Sequence, residues 1–163
     1  MTDKRFIALD TEDARHYRAG GKDANGQVPE PKISEGGAMP CRHCLENIAA
    51  GEEYLILAHR PFPMAQPYAE IGPIFLHAGD CPRYADETQI PDMFREWDRI
   101  MLRGYGADDR IVYGTGTVVD ANELAATADA IMAHPDVRYV HARSAKNNCY
   151  QMRIEPAKQH QAR

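Results

Sequence analysis

The feature that most constrains this chain is a set of three cysteines and one histidine between positions 41 and 81. Cys41 and Cys44 are separated by two residues, and His77 and Cys81 follow after an apolar stretch. Thiolate sulfur and imidazole nitrogen are the donors that zinc prefers, and structural zinc usually takes four of them in a tetrahedron. The spacing therefore predicts one zinc ion bound by Cys41, Cys44, His77 and Cys81.

Several alternatives to this interpretation stay open. His43 lies inside the Cys-x-x-Cys turn and can replace His77 as the fourth ligand, and the cysteines can instead be buried free thiols of a core. A redox role for Cys41 and Cys44 ranks lower, because redox Cys-x-x-Cys motifs usually open a helix after a strand. If zinc is bound, four protein ligands leave no position for water, which favours a structural over a catalytic ion.

The length and charge of the chain narrow the class of protein. A chain of 163 residues suits one domain, within which we expect a zinc lobe over residues 38–85 and an α+β sheet region over residues 86–156. The net charge of −5 provides no basic surface for a phosphate backbone. No stretch predicts a signal peptide or a membrane span, so we expect a cytoplasmic location, where closely spaced cysteines more often bind metal than form disulfides.

The first half is predicted to contain one helix and three strands. Thr11 is a suitable N-cap, followed by two acidic residues, and the helix should end at the glycine pair that begins at Gly20. From there to Pro40 the composition predicts a long surface loop. The predicted strands are Phe6–Leu9, Glu53–Leu57 and Ile71–Leu76, of which the last two form a hairpin that returns His77 and Cys81 to the cysteine turn, as in a zinc ribbon or treble clef.

The second half alternates strands with one strong helix. Asp120 and Glu123 resemble a capping box, and the apolar residues that follow have helical spacing. Before this helix we expect a short helical segment after Pro91, a strand or a continued helix from Arg99, a turn at 106–109 and a returning strand over 110–119. Strands over 137–145 and 149–154 follow it. The order predicts an α+β fold with a mostly antiparallel sheet and one main packed helix.

The hydrophobic pattern selects a register for the last hairpin. A three-residue turn at 146–148 pairs Ala145 with Cys149 and Arg143 with Gln151. Apolar residues then share one face and polar residues the other, which a two-residue turn does not achieve. A left-handed third residue is typical of three-residue turns, and asparagine, here Asn148, tolerates that conformation. The apolar face would contain Val140, Ala142, Tyr150, Met152 and Ile154.

The polar face of this hairpin contains the remaining candidate functional residues. His141, Arg143 and Cys149 are candidate catalytic residues, and Arg143, Gln151 and Arg153 are candidate substrate-binding residues. Together they can bind a carboxylate or phosphate and lower the pKa of the thiol. The alternative is an ordinary solvated sheet face with an incidental cysteine.

Several segments together form a recognisable pattern: Pro40–Leu45, Gly51–Glu52, Pro67–Glu70, Ile74–Phe75 and Tyr139–Tyr150. This pattern resembles a known bacterial family, the domain of unknown function 1203. The resemblance covers most of the chain after about residue 38. It implies no activity, since none is assigned to the family.

Three functional hypotheses follow, in order of preference. The first is a non-catalytic binding or scaffold domain with a structural zinc, whose partner is a small molecule or a protein. The second is an enzyme that acts on a small anionic substrate, with Cys149 as a reactive thiol beside His141 and Arg143. The third is a nucleic-acid-binding zinc module, which the acidic net charge disfavours.

Overall fold

A computed structural model describes residues 3–157. In that range the chain forms two antiparallel sheets, two α-helices and two short 3-10 helices. The strands are β1 (Lys4–Ile7), β2 (Glu30–Ile33), β3 (Glu53–His59), β4 (Gly72–His77), β5 (Arg99–Tyr105), β6 (Thr117–Asp120), β7 (Tyr139–Ser144) and β8 (Tyr150–Pro156). The helices are α1 (Thr11–Arg18) and α2 (Leu124–Met132), and the 3-10 helices are Asp92–Glu96 and Ala121–Glu123. Over these described residues, no helix has both the length and the apolar character that a membrane span requires.

The larger sheet has five strands in the order β1-β8-β7-β5-β6, and every neighbouring pair is antiparallel. Helix α2 covers one face of it, where alternate strand residues such as Ile100, Val140 and Met152 are fully buried. The predicted α+β class, with a mostly antiparallel sheet and few helices, is confirmed.

Gly104 of β5 allows α2 to approach this sheet closely. A Cβ atom at Gly104 would lie 2.8 Å from methyl carbons of both Ile131 and Val137. Real Cβ contacts are longer than this, so any side chain at position 104 would push α2 away from the sheet. The absence of a side chain here therefore sets the packing distance of the main helix.

The smaller sheet has three antiparallel strands in the order β2-β3-β4. A separate cluster of buried residues lies beside it, including Leu57 and Leu76 from the sheet, Tyr17 from α1, and the two cysteines Cys41 and Cys44. These two thiols are thus part of the core of the smaller sheet.

The face of the larger sheet opposite α2 is also buried. The proline-rich segment between β3 and β4 folds over it and inserts Phe62 against Tyr105 and Tyr139. The ring centroid of His141 is 5.0 Å from that of Phe62, and His141, Arg143 and Gln151 are between 1% and 4% exposed. The alternative of a solvated sheet face is therefore wrong for these three residues.

The last hairpin follows the predicted register only away from its turn. Val140 pairs with Ile154 and Ala142 with Met152, as the three-residue turn requires. A β-bulge then shifts the register, so that Arg143 pairs with Tyr150, and the amide of Ser144 donates to the carbonyl of Cys149. The predicted pairs of Arg143 with Gln151 and of Ala145 with Cys149 are wrong.

The bulge also changes the face on which Tyr150 lies. Its ring contacts His141 at 4.8 Å between centroids, on the polar face and not on the predicted apolar one. A β-bulge inserts one extra residue, so the side chains beyond it change sides. Asn148 does adopt the predicted left-handed conformation, with φ of 58°.

Four local predictions need correction. Asp10, and not Thr11, caps α1, with its carboxylate accepting from the amide of Glu12 at 3.3 Å. The predicted loop before Pro40 contains β2, whose residues are all exposed. The returning strand is limited to β6, since Ile111 forms only an isolated bridge with Tyr105. The side chain of Asp120 makes no capping hydrogen bond, because a 3-10 turn precedes α2.

Candidate metal centre

The two cysteines of the Cys-x-x-Cys motif lie on a tight turn whose backbone is closed by hydrogen bonds. The amide of Leu45 donates to the carbonyl of Cys41 at 3.0 Å, and the amide of Cys41 donates to the carbonyl of Glu46 at 3.0 Å. Leu45 has φ of 57°, a left-handed conformation that reverses the chain after Cys44. This turn places both sulfur atoms on the same side.

Strand β4 brings the other two donors to this turn. The amide of Arg42 donates to the carbonyl of Phe75 at 3.1 Å, which joins the turn to the strand. His77 is the last residue of β4, and its amide donates to the sulfur of Cys41 at 3.4 Å. Cys81 follows four residues later in the chain. The four residues predicted from spacing are thus brought together by a strand and a turn from different parts of the sequence.

The four donor atoms all lie within 4.8 Å of one another. Two of their separations match those of a tetrahedral site. The sulfurs of Cys41 and Cys81 are 3.9 Å apart, and the sulfur of Cys44 is 3.5 Å from Nδ1 of His77. At zinc distances of about 2.3 Å to sulfur and about 2.0 Å to nitrogen, a tetrahedron requires about 3.8 Å between sulfurs and about 3.5 Å between sulfur and nitrogen. The donor set therefore fits a metal ion of this size.

The three thiols compete for ionisation in the absence of a cation. Hydrogen bonding with Cys44 and Cys81 lowers the pKa of Cys41 strongly, while hydrogen bonding with Cys41 raises the pKa of both other thiols. Three adjacent thiolates repel one another, and burial adds to the cost of each charge. A divalent cation at the centre would remove this repulsion and allow all three to ionise.

Two further side chains contact the ligands and were not identified from the sequence. Arg18 of α1 donates from Nη2 to the sulfur of Cys81 at 3.0 Å and from Nε to the carbonyl of His77 at 2.9 Å. Glu52 places a carboxylate oxygen 3.6 Å from Nε2 of His77. Carboxylates in this position orient metal-binding histidines, and a guanidinium offsets the excess charge of three thiolates. These two contacts are evident only in the folded structure, because neither Arg18 nor Glu52 forms a recognisable sequence motif with the residue that it contacts.

His43 lies beside the donor group and outside it. Its Nδ1 atom is 3.2 Å from the sulfur of Cys81, and its Nε2 atom is 2.9 Å from the hydroxyl of Thr11. Burial, followed by the positive charge of Arg18, lowers the pKa of His43. A neutral His43 imidazole in this position can hold the side chain of Cys81 in place through one ring nitrogen while the other contacts Thr11.

His141, the first candidate catalytic residue, is enclosed by aromatic rings. Its centroid lies between 4.7 and 5.3 Å from those of Phe62, Tyr105, Tyr139 and Tyr150. Burial and, to a lesser degree, neighbouring arginines hold its pKa well below the ordinary value. His141 is therefore a neutral residue of the interior near neutral pH.

The candidate substrate-binding residues lie in three different environments. Arg143 is buried beside His141, with Nη2 3.4 Å from Nδ1 of the imidazole. Gln151 is buried too, and its Oε1 atom has no hydrogen-bond donor among the described residues. Arg153 instead stacks on Tyr139 at 3.7 Å and pairs with Glu155 at 2.8 Å. The contacts between candidate residues are thus that of Arg143 with His141 and that of Gln151, whose Nε2 atom donates to the carbonyl of Cys149 at 3.3 Å.

Cys149, the candidate reactive thiol, lies at the end of the β7–β8 turn and is partly exposed. Its sulfur is 3.8 Å from the carbonyl of Asn147. Two cavities meet at this residue, one of about 420 Å³ lined by Phe75, Trp97 and Gln151, and one of about 230 Å³ lined by Arg143 and Tyr150, among other residues. The thiol is thus accessible from open space.

Comparison with known proteins gives one match. The model of a family described as a protein of unknown function (DUF1203) matches residues 38–156, in agreement with the resemblance found in the sequence. No curated protein and no solved structure matches the chain. The matched range contains all four donors of the metal cluster and the whole β7–β8 hairpin.

Proposed function

The chain belongs to the DUF1203 family, and we propose that it is a cytoplasmic binding or scaffold domain whose fold is stabilised by one structural zinc ion. Cys41, Cys44, His77 and Cys81 bind the ion, and residues 38–85 form the zinc lobe of a single domain. The observation that carries this proposal is the separation of the four donor atoms, all within 4.8 Å of one another. Three sulfurs and one imidazole favour zinc over harder cations, which prefer oxygen ligands.

A structural role for the ion is supported by the number and burial of its ligands. Four protein donors complete a tetrahedral shell and leave no position for water or substrate. Cys41 is fully buried and Cys44 is 5% exposed, both within the core of the smaller sheet. A metal at this place would join the cysteine turn to β4, and its binding free energy would contribute directly to folding.

Elemental analysis of protein purified without chelator tests this proposal. We expect one zinc ion per chain in the wild type and in Cys149→Ala, and less than a tenth of that in Cys44→Ala. Cys149→Ala is the matched control, because it removes the one described thiol outside the cluster. Wild-type protein without stoichiometric zinc, or Cys44→Ala with a full complement, would contradict the proposal.

A second candidate function is catalysis on a small anionic substrate, with Cys149 as the reactive thiol beside His141 and Arg143. The observation that favours it is the access of Cys149 to a cavity that Arg143 also lines. Alkylation at neutral pH distinguishes the two functions, since a reactive thiolate modifies faster than a free model thiol and an inert thiol does not. The acidic net charge continues to argue against a nucleic-acid-binding zinc module.

A further inference from the structure

A small cavity lies between the β7–β8 turn and the ends of β3 and β4. Its volume is about 230 Å³. The turn contributes Asn147, Asn148 and Cys149, and strands β7 and β8 contribute Arg143 and Tyr150. A water molecule occupies about 30 Å³ in the liquid, so the cavity has room for a few non-hydrogen atoms beyond a single water.

Arg143 is buried without a carboxylate partner. Its side chain belongs to a residue that is 4% exposed, and no acidic group of the described residues 3–157 lies within ion-pair distance of it. The guanidinium donates from Nη1 to the carbonyl of Asn148 at 3.2 Å and contacts His141 at 3.4 Å. Its Nε atom has no acceptor. Since a guanidinium has five N–H donors, most of them are not used.

A buried positive charge of this kind is costly unless an anion compensates it. A second buried guanidinium, that of Arg42, donates from Nε to the carbonyl of Tyr150 at 2.7 Å. Within the described part of the chain Arg42 has no carboxylate partner either, because its other hydrogen bond is to the carbonyl of Pro40. Arg42 lines the neighbouring cavity of about 420 Å³, which shares Asn147 and Cys149 with this one, so a second unpaired positive charge lies close to that of Arg143.

The remaining polar groups of the cavity do not cancel this charge. Glu70 lines it, but its carboxylate is paired with Arg103 at 2.8 Å. His59 lines it as well, and its Nδ1 atom is 3.1 Å from the hydroxyl of Tyr17. The exposed side-chain amides of Asn147 and Asn148 add hydrogen-bond donors at the rim.

We propose that this cavity binds a small oxyanion, a free phosphate or the carboxylate of a small organic acid, with Arg143 as its principal ligand and the Asn147 and Asn148 amides closing the rim. The site identifies the ligand class of the binding function proposed above, and in that sense it rests on that proposal. It does not depend on the metal, because none of its residues belongs to the Cys/His cluster. Guanidinium groups bind carboxylate and phosphate oxygens in bidentate geometry, which accounts for selectivity over chloride.

The test is a titration of the full chain with inorganic phosphate and, separately, with acetate, at constant ionic strength set by chloride. Backbone amide shifts of residues 147–150 report binding. We expect saturable shifts with at least one anion, and at least a tenfold weaker apparent affinity in Arg143→Met. Arg95→Met is the matched control, because Arg95 pairs with Asp92 on the exposed side of a 3-10 helix and lines none of the cavities described above. It should bind the anion as the wild type does.

A response to phosphate alone identifies a phosphate site, and a response to acetate alone identifies a carboxylate site. Arg143→Met should remain folded, as judged by circular dichroism, because it removes a charge that has no acid partner; Arg143→Lys, which keeps the charge, should retain part of the binding. If neither anion causes saturable shifts, or if Arg143→Met binds as the wild type does, the proposal is overturned. Zinc content measured on the same samples separates this outcome from a failure of the metal proposal.

Discussion

The two sheets of this protein are stabilised in different ways. The larger sheet buries aliphatic side chains such as Ile100 and Leu102 against α2, in a core that contains none of the donor atoms of the metal cluster. The smaller sheet has an outer strand, β2, whose four residues are all exposed, and two of its core residues are the thiols Cys41 and Cys44. Thiols in a core can bind a metal ion, and a bound ion would add its binding free energy to the apolar burial of this region.

Metal removal should affect the two regions unequally, and this is the largest expected effect. Zinc bound by four such ligands contributes about 10–16 kcal/mol at neutral pH in small domains. After treatment with a strong chelator, amide hydrogen exchange should accelerate by orders of magnitude in residues 38–85 and much less in β5, β7 and β8. Equal acceleration in both regions would show that they unfold as one unit and would contradict the comparison.

Truncation of the aliphatic core should give the opposite pattern. Ile100→Ala removes a fully buried side chain from the larger sheet and should lower the free energy of unfolding by about 2–5 kcal/mol, with zinc content unchanged. Ile33→Ala is the matched control, since Ile33 of β2 is 61% exposed and its loss should cost less than about 0.5 kcal/mol. Urea denaturation measures both. A larger loss in Ile33→Ala than in Ile100→Ala would mean that β2 packs against something that the fold does not show.

His59, at the end of β3, has its ring centroid 6.1 Å from that of Tyr150 of β8, so it lies between the two sheets and should make their association sensitive to acid. Its Nδ1 atom is 3.1 Å from the hydroxyl of Tyr17, and burial, followed by Arg42 and Arg60, lowers its pKa to about 4. The unfolded chain, with a histidine pKa of about 6.5, binds a proton over this interval that the folded chain does not bind. The contribution of His59 to the free energy of unfolding is therefore fully present above about pH 6.5 and is lost as the pH decreases toward about 4.

His59→Gln should reduce this dependence. Between about pH 7 and about pH 5 the free energy of unfolding of the wild type should fall by about 2 kcal/mol because of His59. The fall in the variant should be smaller by this amount. Glutamine keeps a polar partner for Tyr17 without titrating near neutral pH. Urea denaturation at the two pH values measures the difference, and equal losses in both proteins would show that His59 does not carry the effect.

The smallest expected effect concerns the support of a single metal ligand. Glu52→Gln weakens the contact with Nε2 of His77, at 3.6 Å, and should reduce zinc affinity by about tenfold at most, because the carboxylate is about half exposed. Competition with a chromogenic chelator measures this affinity. Glu53→Gln is the control, because Glu53 is the next residue in the chain and its carboxylate has no contact with the cluster among the described residues. Equal affinities in both variants would show that Glu52 does not orient His77.

The Cys/His cluster was predictable from the sequence because each of its two halves, Cys41 with Cys44 and His77 with Cys81, is a local motif. A Cys-x-x-Cys turn brings two sulfurs together whatever surrounds it, and a strand that ends in His77 needs only to return to that turn. The contacts of Arg18 and Glu52 with the cluster were not predictable, because they depend on how α1 and the start of β3 pack against the turn.

In the last hairpin, hydrophobic alternation predicts the face of the strand residues but not that of Tyr150 beside the turn. Alternation correctly placed Val140, Ala142, Met152 and Ile154 on the apolar face, because a one-residue slip would have moved all of them to the polar face. Tyr150 was assigned to the wrong face, because a bulge beside the turn is a local adjustment that leaves the apolar pattern intact. The amide of Cys149 donates to the hydroxyl of Ser144 at 3.0 Å in this turn, a contact that no hydrophobic pattern encodes.

The sequence by itself determined the α+β class, the strands that face α2 and the two pairs of candidate donors, Cys41 with Cys44 and His77 with Cys81, since each follows from spacing or periodicity along a short segment. Only the tertiary structure decided that the polar face of the hairpin is buried, that His141 is enclosed by aromatic rings, and that Arg143 lacks an acidic partner. The physical reason is that burial and charge pairing depend on segments distant in the chain. Here the connection between β3 and β4 packs Phe62 against His141, and its carboxylate, Glu70, pairs with Arg103 and not with Arg143.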